Sequence, residues 1–256
     1  DQKRKMKRLL INLFLLLCLP AISADARCEE IHIATASNFR GAAAEIARAF
    51  EQQTGHRAIL IFGATGKHYA QILHGAPFDI FLAADAARPK KLEADGKAIS
   101  GSRFTYATGR LALWSTAGGN MDNGDFLRQG NFRRLAIANP ALAPYGLAAQ
   151  ETLQQLGLWQ SVSGKLVRGE NIAQTFQFIF SGNAELGFVA LSQLLARDNN
   201  SRGSWWTVPE SMHTPIRQQA VLINDSQASV AFMQFLRSPS AVEIIRSHGY
   251  GVPDDQ

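Results

Sequence analysis

Residues 59–81 read ILIFGATGKHYAQILHGAPFDIF and hold a short polar loop, Gly63 to Lys67, between two apolar runs. The run before the loop is rich in β-branched residues, which favours a strand, and the segment after it has the apolar spacing of a helix. The apolar run FDIFLAA, residues 78–84, follows as a second strand. Strand, loop, helix and strand in this order predict an α/β protein with helix-covered, largely parallel sheets.

The same unit recurs along the chain. The strand-like IHIATA, residues 31–36, leads into a helical segment that Gly55 is suited to end, and ARPKKLEADG begins and ends with helix signals at Pro89 and Gly96. Further strand-like segments are RLALWS, RRLAIANP, GKLVRG, AELGFVAL and QQAVLIN, and further helix-like segments are YGLAAQETLQQLG, IAQTFQFIFSG, SQASVAFMQFL and SAVEIIRSHG. The polar stretch at 197–204 predicts a surface loop.

Residues 1–26 differ from the rest of the chain. A basic run precedes the apolar stretch from Leu9 to Leu19, and Pro20 and small residues follow, which is the layout of a secretory signal peptide cleaved near residues 24–26. This leader accounts for +3 of the net charge of +5, so the remaining chain carries only +2. That small excess leaves no strong basic stripe for a phosphate backbone and argues against nucleic acid as a partner.

The cysteines and the missing enzyme motifs limit the function further. Cys18 lies in the predicted leader and Cys28 is alone after it, so the mature chain has no internal disulfide and is expected to be a soluble exported protein. The sequence contains no G-x-S-x-G, H-E-x-x-H or paired C-x-x-C motif. The six histidines show no metal-ligand spacing, and each is expected to be a lone surface residue.

The loop from Gly63 to Lys67 fails the test for a nucleotide site. A Walker loop needs glycine five positions before Gly66 and a serine or threonine after Lys67, but Ile61 and His68 occupy these positions. A strand followed by a helix N-terminus still offers unpaired N–H groups to an anion, and Thr65 adds a hydroxyl. Taken alone, Thr65 is also compatible with merely capping its own helix.

Three other strand-to-helix turns resemble this loop. They begin helices at Ser37 and Asn38, at Pro144 and Tyr145, and at Asn171 and Ile172, and they are rich in neutral donors. Ligands of open α/β sheets bind beyond the carboxyl ends of the strands, where such turns meet. Neutral donors without an adjacent carboxylate suit a small, fully deprotonated oxyanion, whereas a carboxylate would select a protonated ligand such as hydrogen phosphate.

These turns also carry a family resemblance. ATASNF, FGATGKHYAQILHGAPFDIFLAAD, ANPALAPYGLAAQETLQQLG, GENIAQTF and GNAELGFVALSQ, taken in order, resemble the periplasmic molybdate-binding proteins of ABC importers, the ModA family. The resemblance runs from about residue 30 to AVEIIRSHGYGVP and implies a type II periplasmic binding protein fold. Two α/β lobes, 27–107 with 221–256 and 108–220, would be joined by two crossover strands around a ligand cleft.

The resemblance also implies the binding residues. Ser37 and Thr65 would donate from hydroxyl and main chain, Asn38 from main chain or side chain, and Tyr145 and Ile172 from main-chain N–H groups. Molybdenum would be bound only as the oxyanion, with no cofactor and no direct protein ligand to the metal. Some relatives place a tyrosine hydroxyl on the anion where this chain has Ala190, which leaves the donor count open.

The function expected from the resemblance is that of a carrier, not an enzyme. The protein would be a periplasmic monomer that binds molybdate, and tungstate too, and delivers it to a membrane permease. Lys67 would face solvent. Two alternatives remain open at this stage: a binding protein for another tetrahedral oxyanion such as sulfate, and an exported hydrolase, for which no spacing marks a nucleophile and base.

Overall fold

Two mixed sheets form the framework of the protein, which a computed structural model describes over residues 28–195 and 203–253. The strands are β1 (Glu30–Ala36), β2 (Arg57–Gly63), β3 (Ile80–Ala83), β4 (Phe104–Gly109), β5 (Leu111–Ser115), β6 (Leu135–Ala138), β7 (Leu166–Gly169), β8 (Leu186–Ala190), β9 (Ser204–Thr207) and β10 (Ile216–Leu222). The first sheet has the order β2-β1-β3-β10-β4 and the second the order β7-β6-β8-β5-β9. The predicted leader and most of the predicted loop at 197–204 lie outside the described ranges.

Helices fill the connections between the strands. They are α1 (Arg40–Thr54), α2 (Thr65–Leu73), α3 (Ala87–Ala94), α4 (Asp125–Gln129), α5 (Pro144–Gln155), α6 (Trp159–Val162), α7 (Ile172–Phe180), α8 (Leu191–Leu195), α9 (Gln227–Phe235) and α10 (Pro239–Ser247), with short 3-10 helices at Ser37–Phe39, Asp122–Gly124, Ser163–Lys165 and Glu210–Met212. The stop predicted at Gly55 is confirmed, because this residue ends α1 at φ 76°, where a side chain would be strained. Across 28–195 and 203–253, no helix has the length and apolarity needed to span a bilayer.

The two sheets share one pattern of strand directions. In the first sheet β1 is parallel to both β2 and β3, and β10 runs antiparallel to β3 and β4. In the second sheet β6 is parallel to both β7 and β8, and β5 runs antiparallel to β8 and β9. The prediction of largely parallel sheets was therefore only half right, since β5 and β10 are the strands that enter a sheet from the other half of the molecule and run against its parallel strands.

The chain passes between the sheets twice. Arg110 alone separates β4 in the first sheet from β5 in the second, and residues 208–215 lead from β9 back to β10. The two predicted lobe limits, at 107/108 and at 220/221, both fall inside strands of the first sheet. The chain itself passes from one sheet to the other at Arg110 and through residues 208–215.

Each sheet is covered by apolar side chains on both faces. In β5, Leu111 and Leu113 pack on one face, while Ala112 and Trp114 pack on the other. The first sheet is likewise packed on both sides, with Ile31 and Ile33 facing one cluster and Ala34 facing another. Period-two alternation with apolar residues on both faces is what a strand covered by helices on both sides requires. The rigid sheets therefore fix where their connecting turns lie.

Candidate anion-binding site

The four predicted turns meet in one small cavity between the two sheets. The cavity is small, about 10 Å³ in volume. The residues that line it, all of them uncharged, are Ala36, Ser37, Asn38, Gly63, Ala64, Thr65, Ala84, Ala143, Pro144, Tyr145, Asn171 and Ile172. All five predicted binding residues are thus brought together by the fold, although they are up to 135 positions apart in the sequence.

The first turn follows β1 and presents Ser37 and Asn38. Both residues are buried, and no described residue shares a hydrogen bond with the Ser37 hydroxyl. The Asn38 side chain is already used, because its Nδ2 donates to Gln218 Oε1 at 2.8 Å and to Tyr250 OH at 3.2 Å. Of the two kinds of donor predicted for Asn38, the geometry leaves the main-chain N–H, which lies in the first turn of a 3-10 helix.

The second turn contains the loop from Gly63 to Lys67. Thr65 opens α2, and its Oγ1 accepts a hydrogen bond from the Ala84 N–H at 3.1 Å. Since that bond occupies the oxygen as an acceptor, the hydroxyl proton is left to donate elsewhere, and Thr65 lines the cavity. The neighbouring Gly66 N–H is taken by Leu142 O at 2.8 Å. Thr65 does not cap its own helix with its side chain.

The two glycines of this loop make room for neighbouring groups of the protein. A Cβ at Gly63 would lie 2.8 Å from Nε2 of His68, and a Cβ at Gly66 would lie 3.0 Å from the main chain of Leu142. Gly63 therefore admits a buried side chain behind the loop, and Gly66 allows the second half of the molecule to approach closely. The glycines that suggested a phosphate loop have a packing explanation.

The third and fourth turns begin α5 and α7. Pro144 stands at the start of α5 and has no N–H, so the first free donor of that helix is the Tyr145 N–H. At α7, the Asn171 side chain caps the helix by accepting from the N–H groups of Ala173 and Gln174, each at 3.0 Å. This leaves the Ile172 N–H, the first of the helix, without a capping partner. Both helices direct the positive end of their dipole to the same cavity.

The charged residues of this region lie outside the cavity. Lys67 Nζ forms an ion pair with Glu170 Oε1 at 2.7 Å, with the two side chains 54% and 45% exposed. Lys67, predicted to face solvent, is thus half exposed but also bridges from α2 to the loop before α7. Arg88 pairs with Asp85 and donates from Nη2 to Ala141 O at 2.9 Å. Together with the Gly66 contact, these bonds join the two halves around the cavity.

Tyrosines behind the cavity are protonated. Burial raises the pKa of Tyr145 and Tyr106 well above 10.0, and burial raises the pKa of Tyr250 to about 12. The site therefore has no titrating group in the neutral range among its lining residues. Within 28–195 and 203–253, no three residues among His, Cys, Asp and Glu gather in a way that could hold a metal ion.

Two expectations about individual residues were incomplete. His68 and His213 were expected on the surface, yet both are buried. His68 lies against Thr35 O and Gln71 Oε1, and burial lowers its pKa below 6.5. It shares the inner face of α2 with Thr65 and Ile72, and that i, i+3, i+7 spacing was the signal that would have revealed it. Ala190 ends β8, fully buried, and is not among the residues that line the cavity.

Sequence reasoning missed the polar residues behind the cavity. Gln218, Tyr106, Tyr250 and Ser192 are buried and hydrogen-bonded to the Asn38 and Tyr145 turns or to each other. No local pattern marks these residues, because their partners lie far away in the sequence.

Comparison with known proteins gives one consistent set of relatives. The chain matches the family described as bacterial extracellular solute-binding protein over residues 31–251. The molybdate-binding protein ModA of Azotobacter vinelandii is 47% identical over 235 residues, which cover 90% of this chain and 93% of that protein. ModA of Rhodobacter capsulatus is 43% identical over 232 residues, covering 90% of this chain and 91% of that protein.

Solved structures agree with the sequence relatives. The periplasmic molybdate-binding protein of Azotobacter vinelandii superposes with a TM-score of 0.83 at 40% identity, covering 87% of this chain and 99% of that one. The sulfate-binding protein SubI of Mycobacterium tuberculosis superposes with a TM-score of 0.72 over 89% of this chain and 88% of that one. Its identity is 15%, so this second likeness concerns the fold alone.

Proposed function

This chain belongs to the bacterial extracellular solute-binding proteins and, among them, to the molybdate-binding ModA proteins, and on that premise we propose that it captures molybdate in the cavity between its two sheets. The predicted type II periplasmic binding protein fold is confirmed by the match to the Azotobacter vinelandii structure. The observation that carries the proposal is the lining of the cavity, which offers hydroxyl and main-chain donors and no charged side chain.

The donors suit the chemistry of the ligand. Molybdate is a tetrahedral dianion at neutral pH and has only acceptor oxygens, so N–H and O–H donors can satisfy it without an ion pair. We propose that Ser37 and Thr65 donate from hydroxyl and main chain, and that Asn38, Tyr145 and Ile172 donate from main-chain N–H groups. The ends of α2, α5 and α7 add their dipoles, and preorganised dipoles in a dry cavity replace the water that the anion loses.

The same donors exclude other ligands. Hydrogen phosphate carries a proton that needs an acceptor, and no carboxylate lines the cavity, so its binding would bury an unpaired donor. Sulfate shares the charge and geometry of molybdate, so only the size of the closed cavity can separate the two.

Closure of the two halves completes the site. Thr65 and Ser37 come from the first sheet's turns, whereas Tyr145 and Ile172 come from the second sheet's turns. In the arrangement that the structure shows, the Gly66 N–H donates to Leu142 O and holds the two sets of turns together. We propose a periplasmic monomer that carries molybdate or tungstate to an ABC permease, with no cofactor and no catalytic step.

The proposal is tested by melting the protein with a panel of anions: molybdate, tungstate, sulfate, phosphate and chloride. A ligand that binds only the folded state stabilises it by about 2.7 kcal/mol at a concentration of 100 times Kd. We expect molybdate and tungstate to raise the melting temperature at micromolar concentrations, with phosphate and chloride inert. A response to sulfate alone would make the protein a carrier of that anion, and hydrolysis of a model ester without any anion response would make it a hydrolase.

A further inference from the structure

A buried hydrogen-bonded network lies directly behind the cavity, with Gln218 at its centre. Gln218 has no exposed surface, and its Oε1 accepts from Asn38 Nδ2 at 2.8 Å and from Tyr106 OH at 3.2 Å. Its Nε2 lies 3.5 Å from Tyr145 OH, to which it donates. One carboxamide therefore touches the Asn38 turn of the first half and the Tyr145 turn of the second half.

The orientation of this carboxamide is matched to that of Asn38. Asn38 presents Nδ2 to Gln218 Oε1, and the Gln218 NH₂ then points to Tyr145 OH. Rotating either carboxamide alone by half a turn would set two NH₂ groups or two oxygens against each other at a buried site. The two side chains therefore hold each other in matched orientations, and a buried polar network of this kind rigidifies the turns that it joins.

The Asn38 turn is held from a second side by Tyr250. Tyr250 OH donates to Asn38 O at 2.7 Å and accepts from Asn38 Nδ2 at 3.2 Å. Ser192, which belongs to the second half, donates from Oγ to Tyr250 OH at 2.9 Å. Since both the carbonyl and the side chain of Asn38 are anchored, its main chain is fixed, and with it the direction of the N–H that faces the cavity.

The backbone opposite Gln218 is irregular. Gln218 pairs with Ala107 and Gln219 pairs with Thr105, so Tyr106 is the extra residue of a bulge in β4. A bulge re-aims the side chains of the strand that carries it, and the Tyr106 hydroxyl lies 3.2 Å from Gln218 Oε1. Gly109 beside them has no Cβ, and one built there would collide with Tyr145 OH and lie 2.9 Å from Gln218 Nε2.

We propose that Gln218 is a positioning residue for anion binding: its carboxamide orients the Asn38 and Tyr145 turns so that main-chain donors of both halves point at one oxyanion. This inference rests on the proposed function, because it concerns the same cavity. Gln218 does not line the cavity itself and acts only through its two partners. It lies on β10, the strand that returns from the second half, which suits it to couple closure to donor geometry.

Gln219 provides the matched control. It is the next residue in the strand, it is 8% exposed, and its carboxamide is also fully used, accepting from Arg103 Nη1 at 2.7 Å and donating to Thr105 Oγ1 at 3.0 Å. Gln218→Leu and Gln219→Leu each remove one well-bonded amide from β10. A role in stability alone predicts similar behaviour of the two variants.

The experiment measures molybdate association and dissociation by stopped-flow fluorescence for the unmodified protein and both variants, together with the melting temperature without ligand. We expect both variants to melt earlier, but Gln218→Leu to raise Kd by about tenfold or more, mainly through faster dissociation, because its partners lose their fixed orientation. Gln219→Leu should stay within about twofold. Equal Kd values for Gln218→Leu and the unmodified protein, or an equal loss in both variants, would overturn the inference.

Two further comparisons keep the test decisive. If Gln218→Leu does not fold, Tyr145→Phe removes only the hydroxyl that Gln218 contacts; we expect it to raise Kd at least about threefold, and an unchanged Kd overturns the inference. If the unmodified protein binds no molybdate, the proposed function fails instead. The same pair of glutamine variants is then compared with the oxyanion that raises the melting temperature, and an equal Kd overturns the inference there as well.

Discussion

Replacing Thr65 by valine tests the hydroxyl that the structure leaves free to donate. Valine keeps the shape of the side chain, which is 1% exposed, but removes both functions of Oγ1: the acceptor for the Ala84 N–H at 3.1 Å and the donor to the anion. The first loss lowers folding stability, and the second weakens anion binding. Thr65 and Ala84 both belong to the first half of the molecule, so their bond exists whether the cleft is open or closed.

The change in folding stability and the change in Kd can therefore be worked out separately. An unsatisfied buried N–H at Ala84 costs about 1–3 kcal/mol of folding stability, and because it is present with and without ligand, it cancels from the dissociation constant. A hydrogen bond to a charged acceptor contributes about 1.5–3 kcal/mol, and its loss does not cancel. At 1.4 kcal/mol for each factor of ten, molybdate Kd should rise about 10- to 150-fold.

Isothermal titration calorimetry gives Kd, and thermal melting of the free protein gives stability. Thr152→Val is the matched control, since Thr152 is equally buried and its Oγ1 donates to Ala148 O at 2.8 Å, away from the cavity lining. Thr65→Ser keeps the hydroxyl and should restore most of the affinity. If Thr65→Val melts earlier but binds molybdate as well as the unmodified protein, Thr65 supports the fold and does not bind the anion.

Three other perturbations test separate parts of the account. Ile172→Pro deletes one main-chain donor at the first position of α7, where proline is tolerated. Titration should show that it binds molybdate about tenfold or more weakly than Ile172→Ala, which keeps the N–H. Equal Kd values for the two variants would show that this amide does not bind the anion. Lys67→Ala and Glu170→Ala break a half-exposed ion pair, and each should change the free energy of molybdate binding by less than about 1 kcal/mol. This effect should disappear at high salt. A larger loss of affinity that does not depend on salt would show that Lys67 binds the anion. Burial lowers the pKa of His68 below 6.5 in the folded protein, so the unfolded chain takes up this proton first as the pH falls. Folding stability should therefore drop below pH 6.5. Denaturant titrations of His68→Gln should show a flatter dependence of stability on pH, and an unchanged dependence would contradict the assignment.

The turns of the site could be predicted from the sequence because each is local. A strand, a polar turn and a helix start can be recognised within about ten residues, and the carboxyl ends of parallel strands are bound to meet at one edge of a sheet. Ile172 shows the limit of this: the local pattern marks it as the start of a helix, and its role as a main-chain donor is what the family resemblance implies. The structure brings all five predicted residues to one cavity.

The support behind those turns could not be predicted in the same way. Gln218 contacts Asn38, and Tyr250 contacts the same residue, across separations of 180 and 212 positions. No periodicity or capping rule links residues so far apart, and a buried glutamine looks the same in a sequence as an exposed one. The antiparallel direction of β5 and β10 was missed for a related reason. The composition of a strand does not tell whether it enters a sheet parallel or antiparallel to its neighbours.

A crystal structure of the protein grown with molybdate would show whether uncharged donors from both halves enclose a tetrahedral oxyanion. Anomalous diffraction at the molybdenum edge locates the metal independently of the surrounding protein. We expect one molybdenum position in the cavity, with no arginine or lysine in contact. The oxygens should lie within hydrogen-bond distance of the donors of Ser37, Asn38, Thr65, Tyr145 and Ile172. An anion held by a charged side chain, or placed outside this cavity, would contradict this expectation.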